Sequence, residues 1–282
     1  MATSPIELPS GTLDLYDSGG DGPPIVFGHG LVMDHTQWRS VIAELASEFR
    51  CVVPVLPLGG HRRAMAPDAD LTMRANALRI AEVIDEMGLP PVVLVANDWG
   101  GPQITAVERP DLVAGLVLTP EEAFDNYPPG LPGAFAALSC RIPGGLSLAA
   151  RSLRIPGFQR LPMTFGRMTR RPIPTDMLRG WTEGLLRDAG VRDDVRRYVA
   201  TTPKGCLVEA AEALRQFDRP TTVVWSTDDR TMPRRHGQML ADLIPDATLV
   251  EVDDCSVLMP LDQPSLLAGH IRELGRRVHL TQ

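Results

Sequence analysis

The reading of this chain turns on Val92-Val93-Leu94-Val95-Ala96-Asn97-Asp98-Trp99-Gly100-Gly101. An unbroken aliphatic run without polar alternation predicts a parallel strand covered on both faces. The run stops at one acidic residue, and glycines then open a helix. The form small-x-acid-x-small-small, with Ala96, Gly100 and Gly101 as the small residues, is that of a nucleophile elbow carrying Asp98 at its tip. A nucleophile at such a turn sits in a strained conformation, so its neighbours must be small enough for strand and helix to pack closely. The helix start behind it offers free N–H groups and the positive end of a dipole. The plainer reading makes Asp98 only a helix cap.

Upstream of this stretch, residues 6–9 and 12–16 predict a hairpin around Ser10-Gly11. Ile25-Val26-Phe27 predicts a buried strand that ends in Gly28-His29-Gly30-Leu31. A helix follows over 36–49, then a strand over 52–56. Pro54 in that strand points to a strand end or a place near the sheet edge. A glycine-rich loop through His61 leads to an amphipathic helix over 71–87. Downstream come a helix over 101–108, stopped by Arg109-Pro110, and a strand over 112–118. Strands alternating with helices predict a parallel doubly wound sheet. Residues 121–200 break the rhythm, with proline and glycine recurring between short apolar pieces. Met163, Phe165, Met168, Leu178, Trp181 and Leu185 make this stretch too apolar for disorder. It predicts a helical cap over 121–200, inserted into a core formed by 1–120 and 201–282. The core resumes with a helix over 205–216, strands over 221–225 and 247–252, and helices over 233–243 and 263–274.

The chain has 282 residues, 44% hydrophobic and 22% charged, which suits one globular domain with an inserted lid. A net charge of −7 argues against a nucleic-acid footprint and for a small, uncharged or apolar substrate. Lys204 is the only lysine, which reads as the composition of a GC-rich bacterial genome and not as function. Cys51, Cys140, Cys206 and Cys255 have no C-x-x-C spacing, so no metal or redox site is expected. No basic stretch followed by an apolar core opens the chain, and no long apolar span occurs. The expectation is a cytoplasmic protein with no cofactor and no membrane or nucleic-acid partner, its oligomeric state left open.

The Asp98–Gly101 turn, with a strand before it and a helix after it, resembles the α/β-hydrolases with an aspartate nucleophile, the branch of epoxide hydrolases and haloalkane dehalogenases. The resemblance extends over nearly the whole chain. It implies an eight-stranded, mostly parallel sheet with helices on both faces and an inserted cap. It also implies roles. Asp98 would attack an electrophilic carbon and form an alkyl ester, which a histidine-activated water then hydrolyses while a second acid orients the histidine. The N–H groups of Leu31 and Trp99 would form an oxyanion hole, and His29 would be structural. Asp229, three residues into the loop that starts at Ser226-Thr227, would be the acid. Tyr127 and Tyr198 are the cap tyrosines available to protonate an epoxide, and the Trp99 indole N–H could serve a leaving halide. Trp99, His35, Tyr127 and Trp181 are the expected substrate contacts.

The chain also departs from the pattern. The place of the histidine is held by Val257, and its neighbours Ser256 and Leu258 do not repair the gap. Epoxide hydrolases usually have proline at the position of Val32, and many dehalogenases have asparagine at that of Leu31. Among the remaining histidines, His61 and His35 lie on loops at strand C-termini, the ligand-binding side of such sheets, with His61 the preferred substitute base. Glu121 or Glu122 is an alternative acid, or else an ordinary solvated pair at the cap hinge. Three readings stay open: a hydrolase acting on an epoxide or a carbon–halogen bond, a non-hydrolytic lyase, isomerase or cyclase using Asp98 as acid or base, and a degenerate binding protein.

Overall fold

The strand bearing Asp98 lies in the middle of the sheet. In the computed structural model, which describes residues 1–203 and 205–279 and so leaves Lys204 outside, eight strands form one sheet. They are β1 (Ser4–Leu8), β2 (Gly11–Asp17), β3 (Pro24–Phe27), β4 (Arg50–Val55), β5 (Val92–Asp98), β6 (Val113–Glu121), β7 (Thr221–Ser226) and β8 (Ala247–Val252). Their order is β1-β2-β4-β3-β5-β6-β7-β8. The β1–β2 and β2–β4 pairs are antiparallel, and every other pair is parallel. The chain lays β4 on one side of β3 and then crosses to lay β5 on the other. The C-terminal ends of β3 and β5 therefore flank a topological switch point, where open α/β sheets leave a crevice.

The helices are α1 (Arg39–Leu45), α2 (Met73–Glu86), α3 (Gly101–Glu108), α4 (Gly130–Arg141), α5 (Gly145–Leu153), α6 (Thr175–Arg187), α7 (Ala189–Thr201), α8 (Cys206–Ala213), α9 (Arg234–Leu243), α10 (Met259–Asp262) and α11 (Pro264–His279). The continuous apolar strands are explained by cover on both faces. Val93 and Val95 pack with Ile25, Phe27 and Val117 against α1 and α11, through Val41, Leu45, Ile271 and Leu274. Val92, Leu94 and Ala96 face the other way with Leu116 and Leu118, against Ala77 and Ile80 of α2 and Ile104 of α3. Burying a side chain of this size is worth about 1.5–3 kcal/mol, so neither face can be left uncovered.

Pro54 lies in an inner strand, at its end as the penultimate residue of β4 and not at the sheet edge. β3 pairs only with residues 50–52 of β4, so the proline falls beyond the point where β3 needs a partner, opposite Leu15 of β2. The helix expected over 36–49 is shorter: a 3-10 turn, His35–Trp38, leads into α1. β6 runs to Glu121, three residues past its expected end. No described helix is long and apolar enough to cross a membrane.

Helices α4–α7 form an insert between β6 and α8. Leu146 and Ala150 of α5, Leu185 of α6, and Val191 and Val195 of α7 make a small core of their own, and Leu31 and Val32 of the loop after β3 pack against it. Polar ties fix the same seam. The Trp181 indole N–H donates to Thr36 Oγ1 (3.0 Å), and Asp194 Oδ2 accepts from the Met65 N–H (2.8 Å). The fit is tightest at Gly184, where an added Cβ would stand 2.1 Å from the His61 carbonyl oxygen. Gly269 in α11 has open space instead. Glycine-to-alanine in a helix interior normally gains about 1 kcal/mol. Gly269→Ala is expected to raise the thermal midpoint, and Gly184→Ala to lower stability by about 1–3 kcal/mol through overpacking. Parallel denaturant titrations of the two variants check the opposite signs.

Candidate active site

The elbow forms because β5 is pinned at the sheet centre while α3 must turn back over it at once. Asp98 takes φ 64°, left-handed for a residue with a Cβ, at a cost of about 1–2 kcal/mol. The Trp99 N–H donates to the Asn97 carbonyl oxygen (2.7 Å), a three-residue turn closed around Asp98. Small neighbours are obligatory. A Cβ on Gly30 would lie 2.1 Å from Asp98 Oδ2, and one on Gly100 would lie 2.3 Å from the Glu122 carbonyl oxygen. Asn97 anchors the turn from behind. Its Oδ1 accepts from Gln37 Nε2 (2.6 Å), and Gln37 Oε1 accepts from the Gly30 N–H (3.0 Å). Its Nδ2 donates to Thr119 Oγ1 (2.7 Å) and to the Val257 carbonyl oxygen (2.6 Å). One buried amide thus ties together the ends of β3, β5 and β6 and the segment after β8.

Asp98 Oδ2 accepts from the Leu31 N–H (3.2 Å). Burial pushes the Asp98 carboxyl up to about 7; the Leu31 N–H opposes the rise and the charge of Asp229 adds to it. Glu122, also buried, is held well above the ordinary carboxylate range by desolvation and then by the charge of Asp98, against the pull of the Gly100 N–H. Its Oε2 meets no hydrogen-bond partner among the described residues. Asp229 is pushed up to about 6 by burial. Its Oδ1 accepts from the N–H groups of Thr231 (2.7 Å) and Met232 (2.9 Å), while Oδ2 is unpartnered among the described residues. The nearby Ser256 hydroxyl donates instead to the Arg167 carbonyl (2.7 Å). Glu121 is turned toward Gln103, whose Nε2 donates to its Oε1 (2.9 Å).

Asp98 and Glu122 open onto a cavity of about 100 Å³. Leu31 and Val32 form one wall, α4 and α5 supply Phe135, Ala136, Leu146 and Leu153, and the segment before α6 supplies Met163, Phe165 and Met168. Ser139, Cys140 and Thr164 are the other polar lining residues. The rest of the lining is apolar.

Several expected contacts lie elsewhere. His61 does not reach the cavity: its Nε2 faces Asp194 Oδ2 (3.1 Å) and its Nδ1 accepts from the Gly59 N–H (3.1 Å), so both ring nitrogens hold the α7 seam. His35 stacks on Tyr16 (5.8 Å between centroids) and faces the Met1 carbonyl. Trp181 is buried in the seam against Phe165. Tyr127 packs edge-on against Tyr198 and does not line the cavity. Trp99 is also outside the lining, its N–H spent on the elbow and its indole N–H donated to Tyr198 (2.9 Å). Of the expected oxyanion pair, only the Leu31 N–H points at Asp98. His29 is held on both nitrogens, near the Gly30 carbonyl (3.0 Å) and accepting from the Leu56 N–H (2.9 Å), and burial lowers it to about 4. No histidine lines the cavity, and Val257 is fully buried.

Two departures acquire a physical reason. Val32 has φ 64° and donates its N–H to the Leu58 carbonyl (2.7 Å); proline can do neither. Glu121 and Glu122 are not a solvated hinge pair, because β6 extends far enough to bury both. Of the two acids the sequence offered after this strand, the structure brings Glu122 to the cavity beside Asp98 and turns Glu121 away. The available signal was an acid directly after a strand beside the elbow strand, which puts it at the same sheet end as Asp98.

A buried acid with a raised pKa destabilises the fold as it ionises. Asp98 titrates near 3.8 when unfolded and about 7 when folded, so its neutral form is tolerated below pH 4 and stability is lost as pH rises from about 4 to 7. A shift of about three units at about 1.4 kcal/mol each makes the loss about 4 kcal/mol by pH 8. Asp98→Asn is expected to be more stable than wild type at pH 8 by up to this amount, with the difference closing toward pH 4. Denaturant unfolding across that range measures it.

Comparison with known proteins agrees with this architecture. The model of the alpha/beta hydrolase family matches residues 25–270. A protein named haloalkane dehalogenase 2 from Mycobacterium bovis is 28% identical over 273 residues, covering 92% of this chain and 90% of that protein. A haloalkane dehalogenase from Mesorhizobium japonicum is 30% identical over 137 residues, 45% of this chain and 44% of that one. The crystal structure of an alpha/beta hydrolase fold protein from Burkholderia ambifaria superposes with a TM-score of 0.77 at 21% identity, covering 96% of this chain and 97% of that one. An aspartate at a left-handed elbow, at the switch point of a mostly parallel eight-stranded sheet, thus sits in a chain that belongs to the alpha/beta hydrolase family.

Proposed function

We propose that the protein opens an epoxide of a small apolar molecule by attack of Asp98, with Glu122 supplying the proton. The observation that carries this reading is the pair of carboxyl groups bordering one apolar cavity, set apart in protonation by their surroundings. Asp98 ionises near neutral pH. Glu122 beside it keeps its proton, since two adjacent charges in an apolar site oppose each other. The free oxygen of Asp98 attacks a ring carbon, the C–O bond breaks, and its electron pair stays on oxygen. That oxygen takes the proton of Glu122, leaving a hydroxyalkyl ester on Asp98 and a carboxylate facing the Gly100 N–H. A haloalkane fits less well despite the names of the relatives. A departing halide needs N–H donors, and the Trp99 indole already donates to Tyr198 while Leu31 has no donor side chain.

Release of the ester requires a base to activate water, and with Val257 at that place no imidazole supplies one. The ester is therefore long-lived. A second reading is favoured by the raised pKa of Asp98, which suits a general base working at neutral pH. In that case Asp98 and Glu122 pass a proton across the substrate, as in an isomerase or lyase, and no ester forms.

Intact-mass analysis after incubation with alkyl and aryl epoxides separates the readings. Wild type should gain the mass of the whole epoxide, Asp98→Asn should gain nothing, and Val257→His should convert the adduct into released diol. Glu122→Gln should slow adduct formation by about 10²–10⁴-fold, the usual worth of a positioned acid. The wild-type rate should rise with pH through about 7, as Asp98 becomes the ionised nucleophile, and fall at higher pH as Glu122 loses its proton. Glu122→Gln should abolish that fall. Isomerised or solvent-deuterated substrate without any adduct would establish the second reading, and no change in protein or substrate across the panel would refute both.

A further inference from the structure

The insert has an unusual surface. The protein carries a net charge of −7, yet between Asp125 and Asp176 it has seven arginines and no acidic residue. Three of the seven find carboxylates elsewhere: Arg154 pairs with Glu183, Arg170 with Asp228 and Arg171 with Asp254. Arg141, Arg151 and Arg160 are exposed and form no ion pair among the described residues.

Interleaved with these cations are exposed apolar side chains. Of eleven large apolar residues exposed among the described residues, seven fall in this segment, Leu148 the most open at 66% and Ile155 and Leu138 close behind at 56% and 55%. α4 shows why this is not ordinary scatter. Leu131, Ala134 and Leu138 stand at i, i+3 and i+7 on one stripe, all exposed, while Phe135 and Ala136 line the cavity. Its only charge is Arg141, at the last position. A helix apolar all round is normally buried, and this one leaves a face in the open.

We propose that this face, formed by α4, α5 and residues 154–163, docks on the surface of an anionic phospholipid bilayer. Apolar side chains flanked by unpaired arginines are the composition of a helix that lies in the headgroup region. No described helix is long and apolar enough to cross a bilayer, so the proposed contact is interfacial. A second copy of the chain is the poorer occupant, because a two-fold interface would bring the unpaired arginines of both copies together. The surface is also the outer side of the cavity wall. Met163 lines the cavity and is 43% exposed, so the opening lies within the docking face. An apolar substrate then enters from the lipid, a consequence that rests on the reading of the cavity given above.

The test is co-sedimentation of the full chain with phosphatidylcholine vesicles, with and without phosphatidylserine. Binding is expected only with phosphatidylserine and should weaken as salt rises. Each arginine near an anionic surface is worth about fivefold in affinity, so R141E, R151E and R160E combined should weaken binding by about a hundredfold or more. L138S with L148S should weaken it as well. Unchanged thermal unfolding of these variants shows that folding is not the cause, and none of the five residues borders the carboxyl pair, so epoxide labelling of Asp98 in vesicle-free solution should be unaffected. No binding to phosphatidylserine vesicles overturns the proposal whether or not Asp98 is labelled. Dimers in sedimentation equilibrium that L138S with L148S dissolves, without vesicle binding, would assign the face to a second copy. Loss of labelling with intact vesicle binding would instead count against the function proposed above.

Discussion

The left-handed turn at Asp98 is the constraint on which the rest of the structure depends. A residue with a Cβ resists φ 64°, and the surroundings must over-determine it. They do so through packing and one amide. β5 is covered on both faces and paired on both edges, so the strand cannot slide to relax the turn. Asn97, one residue before the tip, spends its side chain on Gln37, Thr119 and the Val257 carbonyl. Glycine at positions 30 and 100 then lets the carboxylate and the end of β6 come within van der Waals reach. The Leu31 N–H reaches Asp98 because the switch point places the ends of β3 and β5 side by side.

The same crevice concentrates acids that no base answers. Asp98, Glu122 and Asp229 all lie well above the ordinary carboxylate range, chiefly because burial removes the water that would stabilise their charges. With an imidazole between them, Asp229 would have a partner for Oδ2. With valine at 257 that oxygen stays unpartnered among the described residues, and the acids interact with one another instead. Burial and the charge of Asp229 hold Asp98 at about 7, and burial and the charge of Asp98 hold Glu122 well above the ordinary range.

The insert joins the cavity to the outside of the molecule. Its inner surface is a cavity wall, its own small core locks onto Leu31 and Val32, and its outer surface is apolar and cationic. A wall only one helix thick cannot hide apolar residues on both sides. α4 resolves this by facing the cavity with one stripe and leaving the other exposed.

The sequence by itself determined the fold. Uninterrupted aliphatic strands alternating with amphipathic helices admit few arrangements, and the boundaries of α3 and β8 could be read directly because Gly101, Arg109-Pro110 and the ends of the 247–252 run punctuate them. It also determined the place of Asp98 at a strand end and the presence of Ser256-Val257-Leu258, with no histidine, shortly after the last strand, since both are read from local spacing. The tertiary structure alone decided which side chains meet Asp98. Between Glu121 and Glu122, read from sequence as an alternative acid or a solvated pair, only the structure shows that both are buried and that Glu122 lines the cavity. His61, His35, Tyr127, Trp99 and Trp181 looked available because their loops or helices lie on the right side of the sheet. Each is instead held by a partner distant in sequence or by the packing around it. Strand periodicity tells which end of the sheet a residue occupies, but the direction of a loop side chain depends on contacts from elements distant in sequence, as with His61 and Asp194 or Trp181 and Thr36, and no local pattern encodes those.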